Sequence, residues 1–347
     1  MSGRRLELLS VQALRAVAAF MVVAYHATNQ WAEHVIGRGG SELWPNGSAG
    51  VDIFFVISGL VMTISVRGIE GHPRAGWIFL RQRLRRILPL YWIATTAKIA
   101  MVLAVPALAM RTQLSLPYVL GSYALFPVRD VYGEFVPVLP VGWTLSYEMM
   151  FYLLIGCALF LRRPMIMISF PVLLLFAAYA LIDSSGFANT IVLEFLFGLT
   201  LGMCLPQATR IPVAAGLALF LAGVGVILLV PLASAELRPL IWGVPALAIV
   251  TGAVAMEQVA GGLLPRWLLE AGDASYATYL THGFVVPAVY LVVARLPLSA
   301  PLALAATIVG GLLVSGLVGR TVYRAVERPI LQLLRGGPRL TINKAAT

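Results

Sequence analysis

Charged residues are scarce in this chain of 347 residues. Asp, Glu, Lys and Arg together make up 12% of it, whereas hydrophobic residues make up 60% and the mean hydropathy is +0.89. Soluble globular domains contain about 25% charged and roughly 45–50% apolar residues. With so little charge the chain has too few polar side chains to cover its apolar ones. The composition therefore excludes a water-soluble fold and predicts that the chain folds in lipid.

Cysteine is also rare. Only Cys157 and Cys204 occur, each inside an apolar run. Two such residues exclude a disulfide framework and a cysteine-rich metal site, and we interpret them as small buried hydrophobes. Acidic residues are fewer than basic ones, which gives a net charge of +10. Because the basic residues fall between the apolar runs, we expect them to meet membrane lipids rather than nucleic acid.

Ten apolar segments are long enough to cross a bilayer as helices, which takes about 20 residues. We therefore predict an all-α, polytopic membrane protein of about ten transmembrane helices. It should consist of one membrane domain over residues 1–330 and a short basic cytoplasmic tail over 331–347. The predicted spans are 9–28, 49–66, 87–105, 142–161, 164–182, 187–206, 211–230, 239–256, 274–294 and 301–320.

The basic residues also predict the orientation of the chain. With the N-terminus in the cytoplasm, 18 of the 25 Lys and Arg residues fall on the cytoplasmic side, five on the other side and two within spans. Cytoplasmic loops carry such an excess of positive charge, so both termini are expected inside. The first span is interrupted by Arg15 and His26 and lacks a good cleavage site, so we do not interpret it as a cleaved signal peptide.

Two ionisable residues in the first span are candidates for function. Arg15 and His26 are eleven residues apart, about three helical turns, so they project from nearly the same face, about 16 Å apart along the axis. Charged groups in a bilayer are costly and mark functional sites by default. The alternatives are snorkelling of Arg15 to the interface and an interhelical hydrogen bond for His26.

Two acidic residues are expected at a depth similar to that of His26. Asp52 lies near the outer end of the second span, and Glu148 lies about 7 Å inside the fourth. A histidine can remove a proton from a hydroxyl while a carboxylate orients its ring. We predict His26 as the base and leave open which acid orients it. A structural role for Asp52, favoured by the helix dipole, is equally compatible with the pattern.

Further polar residues lie in later segments. His282 in the ninth span is either a polar lining of a cavity or a packing residue, with nothing in the sequence to decide. The segment WIFLRQRLRRILPLYW, from 77 to 92, contains Arg83, Arg85 and Arg86. Such a stretch suits anionic lipid headgroups, and it also suits the phosphates of a nucleotide-bearing donor, because arginine matches phosphate oxygens in pairs.

Six motifs follow one another along the chain. They are Arg15 with ten residues before His26, FFVISG at 54–59, RLRRILPLYW at 83–92, WTLSYEMMFY at 143–152, SYATYLTH at 275–282 and VERP at 326–329. Together, in this order and over residues 8–330, they resemble the acyltransferase-3 family of membrane O-acyltransferases. The first two motifs are most similar to those of the bacterial branch that modifies exopolysaccharides.

The resemblance implies a multi-pass enzyme of the bacterial cytoplasmic membrane. It would move an acyl group, by family default acetyl, from cytoplasmic acyl-CoA as co-substrate to a hydroxyl of a surface polysaccharide or its lipid-linked precursor. The family's presumed catalytic histidine corresponds to His26, and Arg15 belongs to the same motif. No metal is implied, and no residue spacing suggests one.

Two functions other than acyl transfer remain open. One is a transporter, which also carries intramembrane ionisable residues but often shows inverted repeats that are absent here. The other is a non-catalytic subunit of a polysaccharide export system.

The expected site follows from the intramembrane polar residues and from the family resemblance together. The predicted residues are His26, Glu148 and Asp52 for catalysis, Arg15, Arg83, Arg85 and Arg86 for the donor, and Trp143, Tyr147 and His282 for the acceptor.

Overall fold

A computed structural model describes residues 8–37, 43–105, 114–183, 186, 188–260 and 262–335. Within these ranges the regular secondary structure is helical and no residue lies in a strand. The α-helices are α1 Leu9–Val35, α2 Gly50–Arg67, α3 Ala75–Ala104, α4 Leu116–Tyr123, α5 Gly142–Phe160, α6 Met165–Ala180, α7 Val192–Met203, α8 Leu205–Ala208, α9 Val213–Leu229, α10 Val244–Ala255, α11 Glu257–Ala260, α12 Arg266–Asp273, α13 Ser275–Val293, α14 Ala300–Val322 and α15 Arg328–Arg335.

The predicted class, an all-α polytopic membrane protein, is confirmed. Each of the ten predicted spans contains a long or apolar helix. In the described part of the chain, six helices are long and apolar enough to cross a membrane, and four apolar helices are shorter. The six are Leu9–Val35, Pro45–Arg67, Ala75–Ala104, Gly142–Phe160, Ser275–Val293 and Ala300–Leu334, and the four are Met165–Ala180, Val192–Met203, Val213–Leu229 and Pro239–Ala255.

Several helices extend beyond the predicted spans. The third was predicted to begin at residue 87, but α3 begins at Ala75, so the arginine-rich segment is continuous with the membrane helix. The last helix, α15, enters the predicted tail of residues 331–347 as far as Arg335, and residues 336–347 lie outside the described part of the chain. Good helix formers such as Arg, Leu and Gln fill both extensions, so helical propensity explains them.

Small residues bring α2 and α7 into close contact. A Cβ atom built on Gly59 would lie 2.3 Å from the carbonyl oxygen of Phe195, and one built on Gly198 would lie 2.0 Å from that of Val56. Only glycine allows the two backbones to approach so closely, as at many helix crossings in membranes. Aromatic packing continues this contact, because Phe151 of α5 stacks on Phe195 with ring centres 3.8 Å apart.

A π-helical turn, Tyr323–Glu327, connects α14 to α15. π-Turns inside α-helices are frequent at functional sites. Here the turn places the side chain of Glu327 in the interior, where it is 2% exposed and pairs with Arg86 of α3. The turn therefore ties the C-terminal end of the helix bundle to the arginine-rich segment.

Candidate active site: two cavities beside the first helix

Two cavities lie beside α1, one near Arg15 and one near His26. The first has a volume of about 150 Å³ and the second about 260 Å³. Residues of α1, α2, α3, α5 and α13 line the first cavity, whereas α1, α3, α13 and the segment before α5 line the second. Arg15 and His26, which form the predicted polar stripe on one face of α1, therefore line different cavities, Arg15 the first and His26 the second.

Arginine side chains dominate the polar wall of the first cavity. Arg15, Arg83 and Arg86 all line it. Arg86 forms an ion pair with Glu327, whose carboxylate is almost fully buried. Arg83 donates a hydrogen bond to Ser65, while its Nε atom is buried without a hydrogen-bond partner among the described residues. The cavity thus offers positive charge, which suits an anionic ligand.

Glu148 supplies the carboxylate of the first cavity. Its Oε1 atom accepts hydrogen bonds from Ser58, at 3.2 Å, and from Tyr152, at 2.6 Å. Tyr152 is one helical turn after Glu148 on α5, so the local helix geometry holds the two side chains together. The carboxylate is fixed in place and keeps lone pairs for a further donor.

Polar side chains line the second cavity. Its wall includes His26, Asn29, Lys98 and His282, and Glu33 and Gln30 stand beside them. Asn29 lies one turn after His26, so it extends the stripe on α1. Its Oδ1 atom is buried and has no hydrogen-bond partner in the described part of the chain. A cavity with so many hydrogen-bonding groups suits a ligand that is rich in hydroxyl groups.

The two histidines face each other. Their ring centres are 4.9 Å apart and the rings are tilted by 41°. The Nδ1 atom of His282 lies 2.7 Å from the carbonyl oxygen of Tyr279, and its Nε2 atom is buried and unpaired within the described ranges. His282 is 1% exposed, whereas His26 is half-buried. His26 is therefore the more accessible of the two to a ligand in the cavity.

Tyr279 stands between the cavities. It lines the first cavity, yet its ring lies 5.7 Å from that of His282 in the second. Its hydroxyl group is 2.9 Å from Oγ1 of Thr144 and 3.3 Å from the carbonyl oxygen of Val141. Because Thr144 lines the first cavity and Val141 the second, this hydrogen-bonded group forms part of the wall between them.

Asp52 lies away from both cavities. Its carboxylate is fully buried and forms a two-point ion pair with Arg238, with distances of 2.9 and 2.7 Å. The guanidinium of Arg238 also rests on the ring of Trp242, at 5.1 Å. Glu194, which is fully buried too, is close enough for its charge to act on this pair. This cluster holds α2 against α7 and the π-turn Pro239–Gly243.

The structure does not bring either predicted acid to His26, and this corrects the expectation that one of them orients the ring. Asp52 is held by its ion pair with Arg238. Glu148 lies in the first cavity and is held by Ser58 and Tyr152. A similar depth in the membrane does not bring an acid into contact with His26, because the side chains leave their helices in different directions around the bundle.

Three further predicted residues differ from the expectation. Trp143 and Tyr147 line neither cavity; they pack against each other, and the ring of Tyr147 also contacts those of Phe55 and Phe176. Arg85 lines neither cavity either, although its neighbour Arg86 does. Successive residues of a helix point about 100° apart, so adjacent arginines cannot serve one site equally.

Comparison with known proteins now identifies the family. Residues 8–320 match the model of the acyltransferase domain, Acyl_transf_3. The chain belongs to the acyltransferase-3 family. It is also similar to the exopolysaccharide production protein ExoZ of Rhizobium meliloti (strain 1021), with 34% identity over 301 residues that cover 82% of this chain and 90% of that protein. No solved structure matches it.

For an acyltransferase, the arrangement separates two kinds of chemistry. The cationic cavity can hold an anionic acyl donor, and the polar cavity with the histidines can hold an acceptor with hydroxyl groups. Four residues of this arrangement were not predicted, although each carried a signal in the sequence. Lys98 is a charged residue within the third predicted span, Asn29 lies one turn after His26, Glu327 lies in the VERP motif and Tyr279 in SYATYLTH.

Proposed function

We propose that this protein is a membrane O-acyltransferase of exopolysaccharide production. It transfers a short acyl group, acetyl by family default, from acyl-CoA to a hydroxyl of the polysaccharide or its lipid-linked precursor. The observation that carries the proposal is the pair of cavities, cationic at Arg15 and polar at His26, with Tyr279 between them. The similarity to ExoZ, an exopolysaccharide production protein, supports the acceptor class.

The donor would bind at the first cavity. The phosphates of CoA cannot enter hydrocarbon, so they should stay with Arg15, Arg83 and Arg86, which we expect at the cytoplasmic face. Only the thin pantetheine arm would extend inward. Its amide N–H groups need acceptors once they leave water, and Glu148 has a fixed carboxylate in this cavity. These contacts would place the thioester beside Tyr279.

The acceptor would bind in the second cavity, which we expect to open toward the outer side. A sugar hydroxyl is a weak nucleophile and needs a base as it attacks the thioester. We propose His26 as that base, in keeping with its access to the cavity. The hydroxyl proton passes to the imidazole, the oxygen bonds to the acyl carbon, the carbon–sulfur bond breaks, and CoA leaves as the thiolate.

Transfer can be measured with inside-out membrane vesicles that contain the protein. Radiolabelled acetyl-CoA is added outside, and label is followed into the glycan and lipid-linked fractions. In parallel, surface glycan from cells with and without the protein is compared by mass spectrometry. We expect label in the glycan and the loss of one acyl increment without the protein. Unchanged glycan mass together with an unlabelled vesicle fraction would contradict the proposal.

A further inference from the structure

A chain of contacts leads from the wall between the cavities to His26: the carbonyl of Tyr279 contacts the ring of His282, and that ring contacts the ring of His26. His282 contacts the other two, with Nδ1 at 2.7 Å from the carbonyl oxygen and its ring centre at 4.9 Å from that of His26. Catalytic histidines need a partner on the nitrogen that faces away from the substrate, because that partner fixes the tautomer. The two acids expected to do this for His26 lie elsewhere.

In the hydrogen bond between His282 and the carbonyl of Tyr279, the chemistry of the two atoms fixes which of them donates. A carbonyl oxygen can only accept, so Nδ1 of His282 must carry the hydrogen atom and donate it to Tyr279. In the neutral imidazole the other nitrogen, Nε2, then has the lone pair. His282 is therefore held as a hydrogen-bond acceptor at Nε2.

That acceptor lacks a donor. Nε2 of His282 is buried and has no hydrogen-bond partner among the described residues. An unsatisfied buried polar atom costs about 1–3 kcal/mol, which favours any arrangement that supplies a donor. Because the atom is buried, an acceptor sugar is less able to reach it than the ring of His26 is. Lys98 lines the same cavity, but the structure shows no bond between it and His282.

The distance between the rings suits such a bond. An N–H···N bond of about 2.9–3.0 Å between two imidazoles places their centres roughly 5 Å apart. The observed separation is 4.9 Å. Rotation of His26 about its side-chain bonds would turn one ring nitrogen toward Nε2 without moving either helix.

We propose that His282 is a positioning residue, which fixes the tautomer of His26 by accepting a hydrogen bond from it. This inference rests on the proposed function. The nitrogen of His26 that faces His282 then carries a hydrogen atom, so its other nitrogen has the lone pair and faces the cavity. The acceptor hydroxyl gives its proton to that free nitrogen. The resulting imidazolium keeps its bond to His282, which in turn donates to the carbonyl of Tyr279.

Two substitutions separate this role from packing. In His282→Gln the amide oxygen can replace Nε2 as the acceptor, whereas His282→Leu has similar bulk and no acceptor. We expect kcat to fall about 10- to 100-fold in the Leu variant and only a few-fold in the Gln variant. The KM values for acyl-CoA and for the acceptor should remain unchanged in both. His34→Leu, on the exposed part of α1, serves as the control and should behave like the wild type.

A second measurement does not depend on turnover. The chain has only four histidines, so ¹⁵N-histidine labelling in nanodiscs gives few signals. We expect one dominant tautomer for His26 in the wild type and a mixture in His282→Leu. An unchanged His26 signal, or a Gln variant as slow as the Leu variant, would overturn the assignment. A wild type with the expected signals but no acyl transfer would instead refute the proposed function.

Discussion

Replacing Arg83 by Gln should weaken acyl-CoA binding, and the same change at Arg85 should not. Both residues lie in the arginine-rich segment of α3, yet only Arg83 lines the first cavity. Arg83 uses one N–H group on Ser65 and has an unpaired Nε, so it retains donors for a phosphate. Hydrogen bonds to charged groups contribute about 1.5–3 kcal/mol each. Losing one such contact should raise the Kd for acyl-CoA about 10- to 150-fold.

Arg83 is a better site for this test than Arg86, because removing Arg86 would leave the buried carboxylate of Glu327 without its partner and lower stability as well. Binding can be followed by titrating purified protein in nanodiscs with a non-hydrolysable acyl-CoA analogue. The KM for the acceptor should stay at its wild-type value in Arg83→Gln. Equal weakening in Arg83→Gln and Arg85→Gln would refute the reasoning, since it would point to a diffuse attraction to the membrane face rather than to a cavity.

Three other substitutions test the remaining parts of the site. His26→Gln cannot take a proton at neutral pH, so acyl transfer should fall about 10²- to 10⁴-fold at normal abundance, whereas His34→Gln should remain active; substantial turnover of the former would move the base elsewhere. Asp52→Asn leaves the buried Arg238 without its anion and should lower the free energy of unfolding by about 3–5 kcal/mol, seen as a lower midpoint of thermal unfolding; an unchanged midpoint would argue against a structural pair. Gly283 lines the second cavity, and a Cβ atom built on it meets no atom within 4 Å, so Gly283→Leu should impair acceptor use without loss of folded protein. Gly225 has equally open space but lies outside both cavities, so Gly225→Leu should leave acceptor use unchanged.

The helical architecture was predictable because each span carries its own signal. Lipid requires that backbone groups bond within a segment, so a run of about 20 apolar residues is enough to predict a helix. The ends of the helices were less predictable. Nothing in the apolar pattern shows that α3 begins at Ala75, because arginines are compatible with both a loop and a helix. The π-turn before α15 was not predictable from hydropathy either.

The helical repeat relates residues of one helix to each other, whereas it does not predict contacts between helices. The Arg15–His26 stripe follows from the helical repeat alone, and both residues line cavities. The partner of Asp52 is Arg238, which is 186 residues away along the chain, and similar depth gave no indication of which way each side chain turns. Pairing across helices depends on the rotation of each helix about its axis, and packing at positions such as Gly59 sets that rotation.

The wall at Tyr279 also bears on how an enzyme can act across a membrane without forming a pore. One continuous channel from the donor face to the acceptor face would let water and ions pass and would expose the thioester to hydrolysis. Here the hydroxyl of Tyr279, bonded to Thr144 and near the carbonyl of Val141, stands between the two cavities. Excluding water strengthens the electrostatic contacts of a site and prevents side reactions. Under the proposed function, only the acyl carbon and one hydroxyl would need to meet at this wall, so the phosphates of the donor and the bulk of the polysaccharide would each remain on their own side.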